Sequence, residues 1–102
     1  MSEKVYTIDE IKAKLNEILE NIPVYKVTLF GSYAKKSADK NSDLDLVLDT
    51  KETLMGFKLF SVITKIEEAF KKNVDAFEKT EIIRNSKIDK EIKKTGVVVY
   101  EK

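Results

Sequence analysis

The chain has 102 residues, 42% of them apolar and 36% charged, and its charges nearly cancel at +1. That is the composition of one soluble globular domain, which excludes a disordered segment and carries no global signal for a basic nucleic-acid binder or an acidic tail. Cysteine and histidine are both absent. Disulfides, thiolate catalysis, imidazole bases and thiolate or imidazole metal sites are thereby excluded, and any metal must be held by oxygen, which favours magnesium, manganese or calcium.

In chain order, the opening Met-Ser-Glu-Lys is no signal peptide, and no apolar run approaches the ~20 residues of a membrane span. A cytoplasmic protein with no membrane partner is expected. Thr7-Ile8-Asp9-Glu10 reads as a capping box, with Tyr6 and Ile11 spaced as a hydrophobic staple. Ile8, Ile11, Leu15, Ile18 and Ile22 then recur every three or four residues, which predicts a helix over 8–21, closed by Asn21 and Pro23. Residues 24–30 are β-branched and aromatic and predict a strand that Gly31-Ser32 stops. A short helical turn over 32–36 and a polar loop over 37–42 follow. Residues 43–49 predict a mostly buried strand. Leu59, Val62, Ile63, Ile66 and Phe70 predict a helix over 54–71. Val74–Phe77 is a third strand, Ser86 opens a further helix that Gly96 closes, and 97–100 is a last strand. The order α-β-(short α)-β-α-β-α-β predicts a single α/β domain over 1–102, a small mixed sheet packed against helices.

Three features carry chemistry. Asp43 and Asp45 are two residues apart on a predicted strand, so their carboxylates share a face and repel each other unless something positive lies between them. Leu44, Leu46 and Val47 mark that strand as core, where uncompensated charge is costly. Gly31 lets the backbone approach a ligand, and the N–H groups opening the helical turn at Ser32 suit phosphate. If the first two strands run antiparallel, this turn meets the aspartates. Asp75 joins them if the third strand lies beside the second. Taken singly, each piece has a bland reading: a turn, a solvated strand start, a charge guarding a sheet edge.

Together, Gly31-Ser32-Tyr33-Ala34 and Ser42-Asp43-Leu44-Asp45-Leu46 resemble the Gly-Ser…Asp-x-Asp signature of the DNA polymerase β-like nucleotidyltransferases. Within them the chain is most similar to the minimal, MNT-type proteins of bacteria and archaea. The likeness spans nearly the whole chain, from the leading helix to Val74-Asp75 and the closing Gly96–Tyr100. The resemblance implies the nucleotidyltransferase fold. It implies Asp43, Asp45 and Asp75 as catalytic and metal-binding residues, with Asp75 activating the attacking hydroxyl, and Gly31 and Ser32 as the nucleotide-binding turn. Magnesium is the implied cofactor, two ions being usual, with manganese as the substitute. Family members commonly carry arginine where this chain has Tyr33 and glycine where it has Lys36. The likeness does not decide whether Lys35 or Lys36 takes over phosphate contact.

A minimal domain has little with which to choose an acceptor, so the acceptor surface is expected from a partner. The family implies one: MNT proteins pair with HEPN-domain toxins and neutralise them by moving AMP from ATP to a tyrosine. The chain is therefore expected to be a protein adenylyltransferase and the antitoxin of a type VII-like pair, with ATP and a HEPN-domain toxin as partners. Direct nucleic-acid binding is not expected, and self-association is left open. Two alternatives stand beside this reading: the catalytic subunit of a small-molecule nucleotidyltransferase, and a non-catalytic antitoxin that blocks its partner by occlusion.

Overall fold

The computed structural model describes residues 4–102, so residues 1–3, the first part of the opening read above against a signal peptide, lie outside the described residues. Four helices, one 3₁₀ turn and a four-stranded sheet follow one another. They are α1 (Ile8–Leu19), β1 (Lys26–Phe30), α2 (Gly31–Ala34), β2 (Leu44–Asp49), α3 (Phe57–Phe70), β3 (Val74–Glu78), the 3₁₀ turn Lys79–Glu81, α4 (Lys87–Thr95) and β4 (Val97–Glu101). The expected order holds, with the 3₁₀ turn added. No helix among the described residues is long and apolar enough to cross a membrane.

The capping box at Thr7 is formed in both directions: Glu10 N–H donates to Thr7 Oγ1 at 3.1 Å, and Thr7 N–H donates to Glu10 Oε1 at 2.9 Å. Ile11, Leu15 and Leu19 of α1 are fully buried. The helix stops at Leu19, two residues earlier than the periodicity predicts. Two side chains of residues 100–102 hold the exit: Tyr100 Oη donates to Leu19 O at the helix end, and Lys102 Nζ to Ile22 O in the turn that follows. Helix α3 likewise begins later than predicted, because Gly56 before it has φ of 58°, a left-handed conformation that a helix cannot absorb. It ends at Lys71 in the αL conformation, whose N–H returns to Glu67 O. Tyr6 ties the two helices: its hydroxyl donates to Phe70 O at 2.8 Å and its ring meets the Phe70 ring edge-on at 4.9 Å.

The sheet order is β3-β2-β1-β4, with β1 antiparallel to both β2 and β4 and β2 parallel to β3. Alternation sorts the side chains. Val27 and Leu29 of β1 and Leu44, Leu46 and Leu48 of β2 are buried in the core with the inner stripes of α1 and α3. Lys26, Thr28 and Phe30 of β1, Asp45, Val47 and Asp49 of β2, and Asp75 and Phe77 of β3 fall on the opposite face by the same alternation. Helix α4 covers only part of that second face. The other part is where the site lies.

Candidate active site

β1 leaves the sheet at Phe30, which pairs with Asp45 on β2. The next residue, Gly31, has φ of 74°, and a Cβ built there would lie 2.1 Å from Asp45 Oδ2. No side chain fits, so the Gly-Ser turn and the second aspartate of the Asp-x-Asp pair are packed against each other. Helix α2 continues from the turn for four residues.

Asp45 pairs across the parallel register with Asp75 on β3. Two residues 30 positions apart in sequence are thus side by side on one sheet face. Asp43 lies one residue before β2, not within it as the alternation predicts; it is exposed, at the rim of the site. What sets its place is the 37–43 loop. Asp39 Oδ1 accepts from Asn41 N–H, Ser42 Oγ accepts from Asp39 N–H, and Leu44 N–H donates to Asn73 O. The buried Lys72 ammonium donates to Lys40 O at 3.0 Å and ties the loop to the end of α3. Ser42, just before the Asp-x-Asp pair, is therefore a loop brace.

Asp45 is half-buried and Asp75 exposed. Burial first, then the charges of Asp75 and Asp43, a hydrogen bond shared with Asp75, and the charge of Glu91 push the Asp45 carboxyl up to about 6. Its field is thus uncompensated negative charge in a partly dry place. Among the described residues no three histidine, cysteine, aspartate or glutamate side chains converge closely enough to enclose a cation. The donor set is nonetheless all carboxylate oxygen, the chemistry magnesium and manganese take, and magnesium characteristically uses one or two carboxylates and completes its shell with water and substrate phosphates. The residues fit such a group.

The two residues that depart from the family pattern behave differently from each other. Tyr33 is a core residue, buried with the α1 stripe, and its hydroxyl has no hydrogen-bond partner. Lys36 has φ of 60°, the left-handed conformation that glycine adopts without strain, which explains the glycine preferred there. Its side chain lines a cavity of about 550 Å³ with Tyr6, Thr7, Tyr33 and Ala38, which none of the three aspartates lines. Sequence reasoning missed Glu91. It lies on α4, 46 positions from Asp45, pairs with Lys35 at 2.9 Å and contributes to the Asp45 field. Nothing local distinguishes it from the other charges on a strongly amphipathic helix.

This fold, with paired carboxylates against a glycine turn, defines the nucleotidyltransferase class. The chain matches the family model "Polymerase beta, Nucleotidyltransferase" over residues 13–102 and belongs to that family. It is 31% identical over 86 residues, 80% of this chain and all of the relative, to a "putative protein adenylyltransferase" of Methanocaldococcus jannaschii. A second protein of that name in the same organism is 34% identical over 67% of this chain and 73% of its own length. Among solved structures, the fold resembles the complex of a tri-AMPylated Shewanella oneidensis HEPN toxin with an MNT antitoxin, with a TM-score of 0.70 at 16% identity over 94% of this chain and 74% of the matched one. It resembles a toxin–antitoxin crystallised with AMP-PNP at a TM-score of 0.69 and 22% identity, over 89% of this chain and 73% of the matched one.

Proposed function

We propose that this nucleotidyltransferase moves AMP from ATP to a hydroxyl of a partner protein, a tyrosine of a HEPN-domain toxin, and so acts as the antitoxin of a type VII-like pair. The observation that carries the reading is the lateral pairing of the half-buried Asp45, packed on the Gly31 turn, with the exposed Asp75. The adenylyltransferase names of its relatives and the complexes of its structural neighbours support AMP and a HEPN protein as donor group and acceptor.

In this reading Asp43, Asp45 and Asp75 hold magnesium, two ions with manganese as substitute, which supplies charge neutralisation for an in-line displacement at the α-phosphorus. Gly31 and Ser32 receive the triphosphate, since the glycine brings backbone to it without a side chain in the way. Asp75, exposed on the outer strand, faces an incoming acceptor and takes the hydroxyl proton. The acceptor oxygen bonds to the α-phosphorus as the bond to pyrophosphate breaks, and pyrophosphate leaves. Positioning and charge supply the rest, so the chemistry requires neither histidine nor cysteine.

The test is incubation of the purified chain with magnesium, ATP and the co-encoded HEPN protein, read by intact mass and by peptide mapping of the modified residue. Gain of AMP on a tyrosine, abolished by EDTA, is the expected result. A partner that stays unmodified yet is inhibited would replace this reading with occlusion. A small hydroxylated molecule modified in preference to the protein would favour the small-molecule alternative.

A further inference from the structure

A phenolic hydroxyl brought to Asp75 carries a ring that also has to be placed. Asp75 lies on β3, the outer strand of the sheet, so Asp45 flanks it on one side only. The next side chain on the same face is Phe77, two residues along, roughly 7 Å by strand rise and about the length of a tyrosine side chain. Its ring is partly buried and rests on the buried Phe30, with centroids 6.4 Å apart and planes tilted by 36°. Phe30 is the residue that pairs with Asp45, so the aromatic pair and the carboxylate pair are neighbours on one face.

Beyond Phe77 the surface continues as a groove of about 280 Å³. The apolar side chains Phe77, Ile82, Ile83 and Ile88 line it, with one charge of each sign from Glu81 and Lys87. Ile83 is 76% exposed and Ile88 37%. That exposure is built into the loop. Ile82 N–H donates to Lys79 O at 3.2 Å, Ser86 N–H to Ile83 O at 3.1 Å, and Asn85 N–H to Asp89 Oδ2 at 2.8 Å. The 3₁₀ turn before it is capped by Glu78, which Thr50 holds in the core. A loop hydrogen-bonded at both ends thus holds an isoleucine out in water beside the site, at a cost in hydration that a docked apolar group removes. The other exposed apolar group, Met55, Phe57 and Phe60 around the start of α3, belongs to the helix layer across the sheet from Asp75.

We propose that Phe77 and the groove behind it are the acceptor-docking surface. The ring of the acceptor tyrosine packs on Phe77 with its hydroxyl at Asp75, and an apolar residue beside that tyrosine in the acceptor chain enters between Ile83 and Ile88. The inference rests on the nucleotidyl reading of the site. The chemical step is unchanged: the phenolic oxygen bonds to the α-phosphorus, its proton goes to Asp75, and pyrophosphate leaves. What the surface adds is choice of acceptor. Two aromatic rings attract each other when offset or edge-on, and the Phe77 ring is already fixed by Phe30, so little ordering is needed on binding. Serine and threonine have no ring to place, and their hydroxyls lie too close to their own backbone to reach Asp75 past Phe77. Glu81 and Lys87 cancel, so the groove selects by shape and apolarity and not by charge.

Two other roles are open to Phe77: stacking on the adenine base, or filling the fold against Phe30. Three measurements separate them: kcat/KM for AMP transfer to the co-encoded HEPN protein, calorimetric titration with magnesium and AMP-PNP, and thermal melting. Ile83→Ser, at an exposed position, is expected to lower kcat/KM for the acceptor about fivefold, with parent nucleotide affinity and melting temperature. Phe77→Leu keeps an apolar contact with Phe30 and loses the ring face. It is expected to lower kcat/KM roughly tenfold, again with parent nucleotide affinity. Phe77→Tyr keeps the ring and is expected to stay within about twofold of the parent. Parent kcat/KM in either Ile83→Ser or Phe77→Leu overturns the proposal and leaves the nucleotidyl reading standing. So does a Phe77→Leu chain whose nucleotide affinity falls in step with transfer, which assigns the ring to the base, or whose transfer falls only with its folded fraction. A parent chain that moves no AMP to a tyrosine of that protein overturns both.

Discussion

The two faces of the sheet are built on opposite physical terms. On one, Val27, Leu29, Leu44, Leu46 and Leu48 meet the stripes of α1 and α3 and are at most 1% exposed. These five side chains are apolar, and their burial is itself the favourable term. On the other, the same strands present Asp45, Asp75, Thr28 and Phe30, and α4 leaves the acidic end uncovered. The carboxylates there repel one another and lose hydration, so this face costs stability in the free protein. β3 carries the contrast within five residues. Its Asp75 is exposed beside another acid, whereas its Glu78 is buried and satisfied by Thr50 N–H at 3.0 Å, the Thr50 hydroxyl, and Thr80 N–H at 2.8 Å. Acidic residues on one strand thus divide into one left open to solvent beside a second acid and one that closes the fold.

Substitutions can break the comparison face by face. The largest expected effect is on chemistry. Asp75→Asn cannot accept a proton, so AMP transfer in single-turnover assays should fall by about 10²–10⁴-fold with nucleotide affinity changed far less. The melting temperature should hold or rise, since a repelling charge is removed. Transfer at the parent rate would remove Asp75 from the site. The closed face should respond in the reverse sense. Ile66→Ala, at a fully buried position, should cost about 3 kcal/mol in denaturant unfolding while molecules still folded bind nucleotide normally.

A smaller effect tests the division within β3. Glu78→Gln removes a charged acceptor from four donors and should cost ~1–2 kcal/mol, with transfer per folded molecule unchanged. Lost transfer in a folded variant would show that Glu78 serves the site as well as the core. The smallest effect is on pH dependence. The Asp45 carboxyl titrates near 6 in the folded chain against an ordinary value of 3.8. Between those values the folded state holds more protons than the unfolded, so Asp45 makes the metal-free protein lose stability as pH rises through that window. Glu78, held below its ordinary value by its hydrogen bonds despite its burial, contributes stability present above 4.5 and lost as pH falls. Melting in EDTA across this range should therefore show a slope that Asp45→Asn makes more positive with rising pH and Glu78→Gln makes more negative. Equal slopes in parent and Asp45→Asn would mean that the acidic end is already compensated.

Much of this was legible beforehand. The capping box at Thr7, the stripe of Ile11, Leu15 and Leu19, the cap at Ser86 and the strand alternation of β1 and β2 all depend on neighbours within four residues, and each is formed. The Gly-Ser and Asp-x-Asp motifs were visible as motifs. Boundaries were less secure where an unlocal contact or a strained residue intervened, as at Leu19, whose carbonyl is taken by Tyr100, and at Gly56.

The sequence by itself determined the elements, their order and the residue types available for chemistry, because helix and strand periods and cap geometry are short-range properties of a chain. Tertiary structure alone decided which carboxylates meet. Asp45 faces Asp75 because β3 joins β2 in parallel, a pairing that the intervening helix α3 permits but no local pattern dictates. It likewise decided that Tyr33 belongs to the core, that Lys36 turns away in a left-handed conformation, and that Glu91 from α4 reaches Lys35. Such contacts join residues far apart in sequence, and they exist only once the sheet order and the packing of α4 on its open face bring those residues together.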